Sequence, residues 1–283
     1  MEITEKLFIW VDTLKSLKQD ESNLTKFEIA KSCIINREFN RAKLLLEEEI
    51  SKNKKIDLPH FNLLLTCLKK MKLADDYFNL HRKFAVELGI NCPNYDNLSQ
   101  FLKGAEDKIF MIYSSSGSGT GFSISTNKIA TNKHVIEGLN KDEIKIINKH
   151  EQIFSVDFIE IDDFEDIAIL NLKENLPFFT IGEFDFVSPG ESVLAIGFPK
   201  PESAKFKENI YISKGIVNSI RKTPKSSERV VYFDAKIGPG SSGGPLINSF
   251  GEVIGITTWI YPGEFVGGQP MALPIHLINK YLN

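Results

Sequence analysis

The sequence predicts a multidomain chain, with an all-α unit over residues 1–104 followed by an all-β unit over residues 105–283. Three observations predict it. Apolar residues recur at three- and four-residue steps up to about residue 103, the period of helices packed on one face. From residue 106 the pattern changes to short β-branched and aromatic runs parted by turn residues. The length of 283 residues also suits about two domains.

In the first unit, Ile3, Leu7, Trp10, Leu14 and Leu17 form one stripe, predicting a helix over 2–18. A pair follows over 24–36 and 38–52, with its turn at Asn36-Arg37-Glu38. Asp57-Leu58-Pro59 reads as an N-cap with proline in the first turn, opening a helix that runs to about Met71. Another helix spans 73–88 and stops at Gly89, a C-capping residue. Pro93 breaks the chain before a last short helix over 95–103. Successive helical hairpins suggest a small solenoid. Phe27, Phe61 and Tyr95 are spaced 34 residues apart.

In the second unit, strands are predicted at 108–113, 121–125, 144–147, 157–161, 167–172, 192–196, 211–220, 230–235 and 252–259. Gly119, Asn127, Asn140, Pro189-Gly190, Pro199 and Gly251 separate them. Many short, closely spaced strands argue for a barrel or a sandwich.

Composition excludes several classes. With 42% hydrophobic and 25% charged residues the chain is ordinary globular material, and its net charge of −3 gives no global pull toward nucleic acid or an acidic membrane. No run approaches the ~20 apolar residues of a membrane span. The N-terminus, MEITEKLFIWVDTLK, is acidic from the start and is not read as a signal peptide. Cys33, Cys67 and Cys92 lack the spacing of a disulfide framework or a metal site and are read as buried free thiols. No cofactor and no metal are expected, and the predicted location is cytoplasmic.

The chemistry concentrates at Gly238-Pro239-Gly240-Ser241-Ser242-Gly243-Gly244-Pro245-Leu246. A serine closely flanked by glycines suits a tight loop that exposes its hydroxyl, and Gly240 permits unusual backbone angles. The N–H groups of Gly240 and Ser242 can then converge on a developing oxyanion. A serine nucleophile needs a base. The second unit offers His134, His150 and His276. His134 ends an apolar strand where a turn begins, His150 sits in a charged stretch, and His276 reads as surface or cap. For an orienting carboxylate, Asp162, Asp163, Glu165 and Asp166 compete. Asp166 directly precedes the buried-looking Ile167-Ala168-Ile169-Leu170, where a carboxylate needs a partner that an imidazole N–H would supply.

Several motifs occur in the order of a known family: GSGTGF at 117–122, ATNKHVI, DIAIL, GESVLAIGFP at 190–199, SKGIVNSI, GPGSSGGPLIN and GEVIGITTW. Over residues 106–283 the chain resembles the trypsin-like serine proteases, most closely the bacterial HtrA-like branch. The resemblance implies two packed six-stranded barrels with the site in the cleft between them. It implies His134 as base, Asp166 as its orienter and Ser242 as nucleophile. It places specificity walls at Thr258, Trp259 and Ile260, with Thr258 supporting Asp166, and sets Lys236 at the base of the S1 pocket. Ile260 at the mouth of S1 implies a small aliphatic P1 residue, with an acidic P1 through Lys236 as second choice. The first unit resembles, over about one repeat (FNLLLTCLKKMKLADDYFNLHRKF), a tetratricopeptide- or pentatricopeptide-type helix pair.

Departures from the family matter too. Digestive members bury a newly cut N-terminus against an aspartate just before the nucleophile. Here that position is Ser241, so zymogen cleavage is not expected. The barrel has no cysteine, which fits a reducing compartment. HtrA-type chains usually carry a PDZ domain after the barrel, and with an end at Asn283 none is expected here.

Three functions are carried forward. The first is a serine endopeptidase acting on protein or peptide substrates. A helical domain would bind a protein partner and recruit or regulate it, as in bacterial stress or antiphage effectors. The second is a catalytically silent protease-fold binding module, against which the complete set of catalytic residues argues. The third is an RNA-associated helical-repeat protein. Residues 1–104 hold 17 basic and 15 acidic groups, too balanced for the clustered basic surface that RNA binding needs.

Overall fold

The computed structural model describes residues 24–53, 56–88, 104–114, 117–198, 210–223, 226–258 and 269–282. The chain divides into two compact units, Met1–Tyr95 and Asp96–Asn283. The predicted helices at 2–18 and 95–103 fall outside the described residues.

Among the described residues, the first unit contains four helices: α1 (Lys26–Ile35), α2 (Phe39–Asn53), α3 (Leu58–Lys70) and α4 (Ala74–Leu88). Thr25 opens α1 with a capping box: its hydroxyl accepts the Glu28 N–H, and the Glu28 carboxylate accepts the Thr25 N–H. Asp57 caps α3 by accepting the His60 N–H, with Pro59 in the first turn, as the sequence predicts. Both helix pairs turn in the same way. Arg37 (φ 63°) and Lys72 (φ 60°) adopt left-handed backbone. The N–H of the following residue, Glu38 or Leu73, returns to the carbonyl of Cys33 or Leu68. Ala30, Cys33, Ala42, Leu46, Leu64, Cys67 and Leu68 pack the centre. Burial pushes the Cys67 thiol up to about 12, so it packs as an inert apolar group.

The second unit is built on two curved antiparallel sheets. The first contains β1 (Ile109–Ser114), β2 (Gly117–Ser123), β3 (Lys128–Thr131), β4 (Lys145–Ile147), β5 (Ile153–Phe154), β6 (Phe158–Ile161) and β7 (Ala168–Asn171). Their order is β5-β4-β1-β2-β3-β7-β6. The second contains β8 (Ser192–Gly197), β9 (Tyr211–Thr223), β10 (Ser226–Phe233), β11 (Pro245–Asn248), β12 (Val253–Thr258) and β13 (Met271–Pro274). It closes as β10-β13-β12-β11-β8-β9.

Only the second sheet is the closed six-stranded barrel that the resemblance implied. The first has seven strands because one run is broken. β5 pairs with β4 on one edge and β6 with β7 on the other, and only Ser155, Val156 and Asp157 lie between them. The chain bends there to bury Val156, while the Asp157 N–H bonds the Asn171 carbonyl.

Period-two alternation explains how the sheets pack. Phe110 and Ile112 of β1 point into the interior of the first sheet with Ile129, Ala168 and Leu170. Ile109 and Met111 point the other way and meet Ile196, Tyr232, Ile256 and Leu273 of the second sheet. β7 does the same: Ala168 and Leu170 face one core, while Ile167 and Ile169 face the other. A strand buried on both faces must read as a continuous apolar run, and that is how residues 167–170 read. Each fully buried isoleucine or leucine among them contributes about 1.5–3 kcal/mol of burial.

The loop before β7 is fixed by Asp162, which is 2% exposed. Its Oδ1 accepts the N–H groups of Phe164 and Glu165, and its Oδ2 accepts the Tyr281 hydroxyl and the Lys280 ammonium. Burial alone would push this carboxyl up. The hydrogen bonds from Lys280, the two N–H groups and Tyr281 outweigh it and hold the pKa at about 2. A folded-state value below the unfolded one stabilises the fold above about pH 4, by about 2 kcal/mol, and that stability is lost as pH falls through about 2. Asp162→Asn should therefore cost about 2 kcal/mol at pH 7, with the deficit shrinking toward zero near pH 2. Urea unfolding of both proteins across this range checks it; a deficit independent of pH would refute it.

Candidate active site

His134 lies in a 3-10 turn, Lys133–Val135, directly after β3. Asp166 immediately precedes the doubly buried strand start at Ile167. The two meet twice. The His134 N–H donates to Asp166 Oδ1 at 2.9 Å, and His134 Nδ1 lies 2.7 Å from Asp166 Oδ2. A carboxylate only accepts, so Nδ1 carries a proton, and in the neutral imidazole Nε2 is the acceptor. Thr258, at the end of β12, adds a longer bond from its hydroxyl to Oδ2 at 3.4 Å. Fully buried Asn132 donates Nδ2 to the Asp166 carbonyl at 2.8 Å, which fixes the backbone that carries the carboxylate.

Ser242 sits in a loop wound on itself. The Ser241 N–H bonds the Gly238 carbonyl at 2.9 Å, and the Gly244 N–H bonds the Ser241 carbonyl at 3.0 Å. The Ser241 hydroxyl accepts the Gly238 N–H, so this side chain serves the turn. Gly240 (φ 93°) and Gly243 (φ 85°) take left-handed backbone. The Gly240 carbonyl is drawn to the Thr120 hydroxyl at 2.7 Å. Among the described residues, the N–H groups of Gly240 and Ser242 donate to no protein acceptor. Ser242 is 8% exposed.

Close backbone packing seats this loop against the turn of His134. The Thr120 N–H donates to the Ser242 carbonyl at 2.8 Å. A Cβ at Gly119 would strike the side chain of Val135 at 2.6 Å and approach the Ser242 carbonyl at 3.2 Å. Among the described residues no hydrogen bond joins the Ser242 hydroxyl to the imidazole. Such bonds often close only when substrate is bound.

Residues 119–256, which hold this geometry apart from Thr258, match the family profile described as a trypsin-like peptidase domain. The putative serine protease HhoB of Synechocystis sp. is 37% identical over 161 residues, covering 56% of this chain and 38% of its own. Serine protease HTRA1 of Xenopus tropicalis is 34% identical over 174 residues, covering 58% and 35%. Among solved structures, the HtrA-type protease AlgW with a tripeptide superposes with a TM-score of 0.57 at 25% identity, over 65% of this chain and 62% of that one. The second unit is a trypsin-like peptidase domain of the HtrA-like branch. The chain spans 35–38% of the length of the two curated relatives named here.

Within the peptidase domain the four competing carboxylates have separate roles. Asp166 holds the imidazole, Asp162 holds the C-terminal turn, Glu165 accepts from Ser227, and Asp163 is exposed. His150 pairs with Asp107 at the surface, and His276 packs its ring on Phe184. Lys236 is exposed, its backbone N–H held by the Ser213 hydroxyl at 2.7 Å. Trp259 and Ile260 lie outside the described residues. Among those described, no group of three or more His, Cys, Asp or Glu side chains is placed to hold a metal. Sequence reading missed Thr120, Thr131 and Asn132. The signal available was a run of polar residues, Thr131-Asn132, ending an apolar strand, where burial demands partners.

Gly243 is the least replaceable glycine of the loop. A Cβ there would collide with the Thr120 carbonyl and the Thr131 hydroxyl on a backbone already left-handed. Gly243→Ala should cost more than about 2 kcal/mol, combining left-handed strain with a backbone clash. Gly238→Ala meets open space and should stay within about 0.5 kcal/mol. Urea unfolding of both variants checks this; equal costs would refute it.

Proposed function

We propose that this chain is a serine endopeptidase. The observation that carries the reading is the doubly bonded His134–Asp166 pair, set beside a serine loop with two unengaged N–H groups. Ser242 Oγ attacks the scissile carbonyl carbon as His134 Nε2 takes its proton. Asp166, bonded to Nδ1, holds the tautomer and stabilises the imidazolium. The N–H groups of Gly240 and Ser242 receive the oxyanion. His134 then passes its proton to the leaving amine, and water repeats the sequence on the acyl-enzyme. A silent binding module would not need a protonated Nδ1 held by a carboxylate, so that reading is set aside.

For specificity we retain a small aliphatic P1. The exposure of Lys236 favours it over an acidic P1, since the long stem leads the charge into solvent. Ser242→Ala should lower turnover by about a million-fold with folding intact, and Asp166→Asn by about ten-thousand-fold. Ser241→Ala should stay within about tenfold. Fluorophosphonate labelling and hydrolysis of a peptide library varied at P1 measure all of this. A Ser242→Ala protein as active as wild type would sink the assignment, and preferred cleavage after acidic residues would reverse the P1 choice.

The helical unit is read as a recruiting module for a protein partner, the two like-turned helix pairs among its described residues offering a repeated surface. A stress or antiphage role would follow from such recruitment. A chain starting near residue 104 should hydrolyse small peptides at the full-length rate but lose protein targets in whole-cell lysate. Unchanged activity in both assays would remove the recruiting role.

A further inference from the structure

We propose that Glu165 is a positioning residue that latches the loop of Asp166 to the bulged start of β10, and that turnover depends on this latch. The inference rests on the endopeptidase reading above.

The loop of Asp166 is short and heavily constrained. The Ile167 N–H bonds the Glu165 carbonyl at 2.8 Å, closing a tight turn with Asp166 at its centre. The direction of the Asp166 carboxylate therefore follows from where Glu165 is held. Glu165 is 4% exposed, and its side chain reaches across to β10. Oε1 accepts both the N–H of Ser227, at 2.8 Å, and the Ser227 hydroxyl, at 2.5 Å.

Ser227 is free to donate because β10 is irregular there. Ser226 pairs with Thr223, but the next pair is Arg229 with Lys222, so Ser227 and Glu228 stand out of the ladder. A bulge of this kind re-aims backbone groups. Here it hands the Ser227 N–H to a carboxylate from the loop before β7.

The cost of the arrangement argues for a positional role. Glu165 Oε2 is buried without a hydrogen-bond partner, and no ion pair with Glu165 is present among the described residues. Burying a carboxylate this way opposes folding. What the side chain gains is a rigid two-point attachment one residue ahead of Asp166. Buried side chains that orient a reacting group in this way act through that group and touch no substrate.

The experiment uses the full chain and five variants: Glu165→Ala, Glu165→Gln, Ser227→Ala, Asp166→Asn, and Glu165→Ala combined with Asp166→Asn. Fluorophosphonate labelling rates and peptide kcat and KM are measured for each. Glu165→Ala should lower kcat and labelling rate by about 10- to 100-fold with KM within about twofold, the signature of a misaligned catalytic group. Glu165→Gln keeps the Oε1 acceptor and should recover to within about threefold of wild type. Ser227→Ala removes one of the two donors and should cost less than Glu165→Ala, which also guards against a Glu165→Ala protein that fails to fold. In the Asp166→Asn background the Glu165→Ala loss should disappear, because the two act as a unit. A general packing defect would persist there.

Wild-type kcat in both Glu165→Ala and Ser227→Ala, or an undiminished loss in the Asp166→Asn background, overturns the latch while leaving the endopeptidase reading in place. A wild-type chain that takes no fluorophosphonate overturns both.

Discussion

Thr120 is the point on which the two sheets and the site depend. It is fully buried, and its three polar groups reach in three directions. Its N–H holds the Ser242 carbonyl, its hydroxyl holds the Gly240 carbonyl and receives the Phe198 N–H, and its carbonyl receives the Thr131 hydroxyl. One residue of β2 thus ties the serine loop, the end of β8 and the end of β3 together. A buried backbone group left without a partner costs about 1–3 kcal/mol, so any slip of one sheet on the other would leave several such groups unpaired at once. This makes the seam a two-way condition: either all the bonds form or the loop leaves.

The electrostatics of the site follow from that seam. β7 is apolar on both faces, so the chain before it must deposit its charges within a few residues. Asp162, Glu165 and Asp166 are placed there, each with its own set of donors: the C-terminal turn, the start of β10 and the imidazole. The three carboxylates do not compete because each is satisfied by a different element. The imidazole is thereby left with a single carboxylate to answer to.

Much of this was legible in the sequence, and for identifiable reasons. The bounds of α1 to α4 were read to within two residues, since the Asp57-Leu58-Pro59 start and the apolar stripes are local signals. His134 and Asp166 are legible because each stands where an apolar strand meets a turn. The strands β5, β11 and β13 were not read. β11 starts at Pro245 and β13 ends at Pro274, and a proline in so short a run looks like a turn. Thr120 and Asn132 were legible only as polar residues, and Glu165 only as a rival of Asp166. Their partners lie 120, 34 and 62 positions away, and no local pattern encodes such a pairing. The two-barrel expectation failed at one place, the bend at Ser155–Asp157, which buries Val156 at the expense of ladder continuity.

That bend has a consequence for how the peptidase domain behaves among copies of itself. An open sheet exposes a row of unpaired backbone groups on which a foreign strand can grow. Here the open edges are β5, of two residues, and β6, of four, and the chain between them changes direction. Ile153, Phe158 and Ile161 are exposed along them, so the side chains alone would invite stacking. The backbone does not cooperate. A straight incoming strand finds too few groups in register before the template turns away, and apolar edge residues are tolerated without the row of hydrogen bonds that would propagate a fibre.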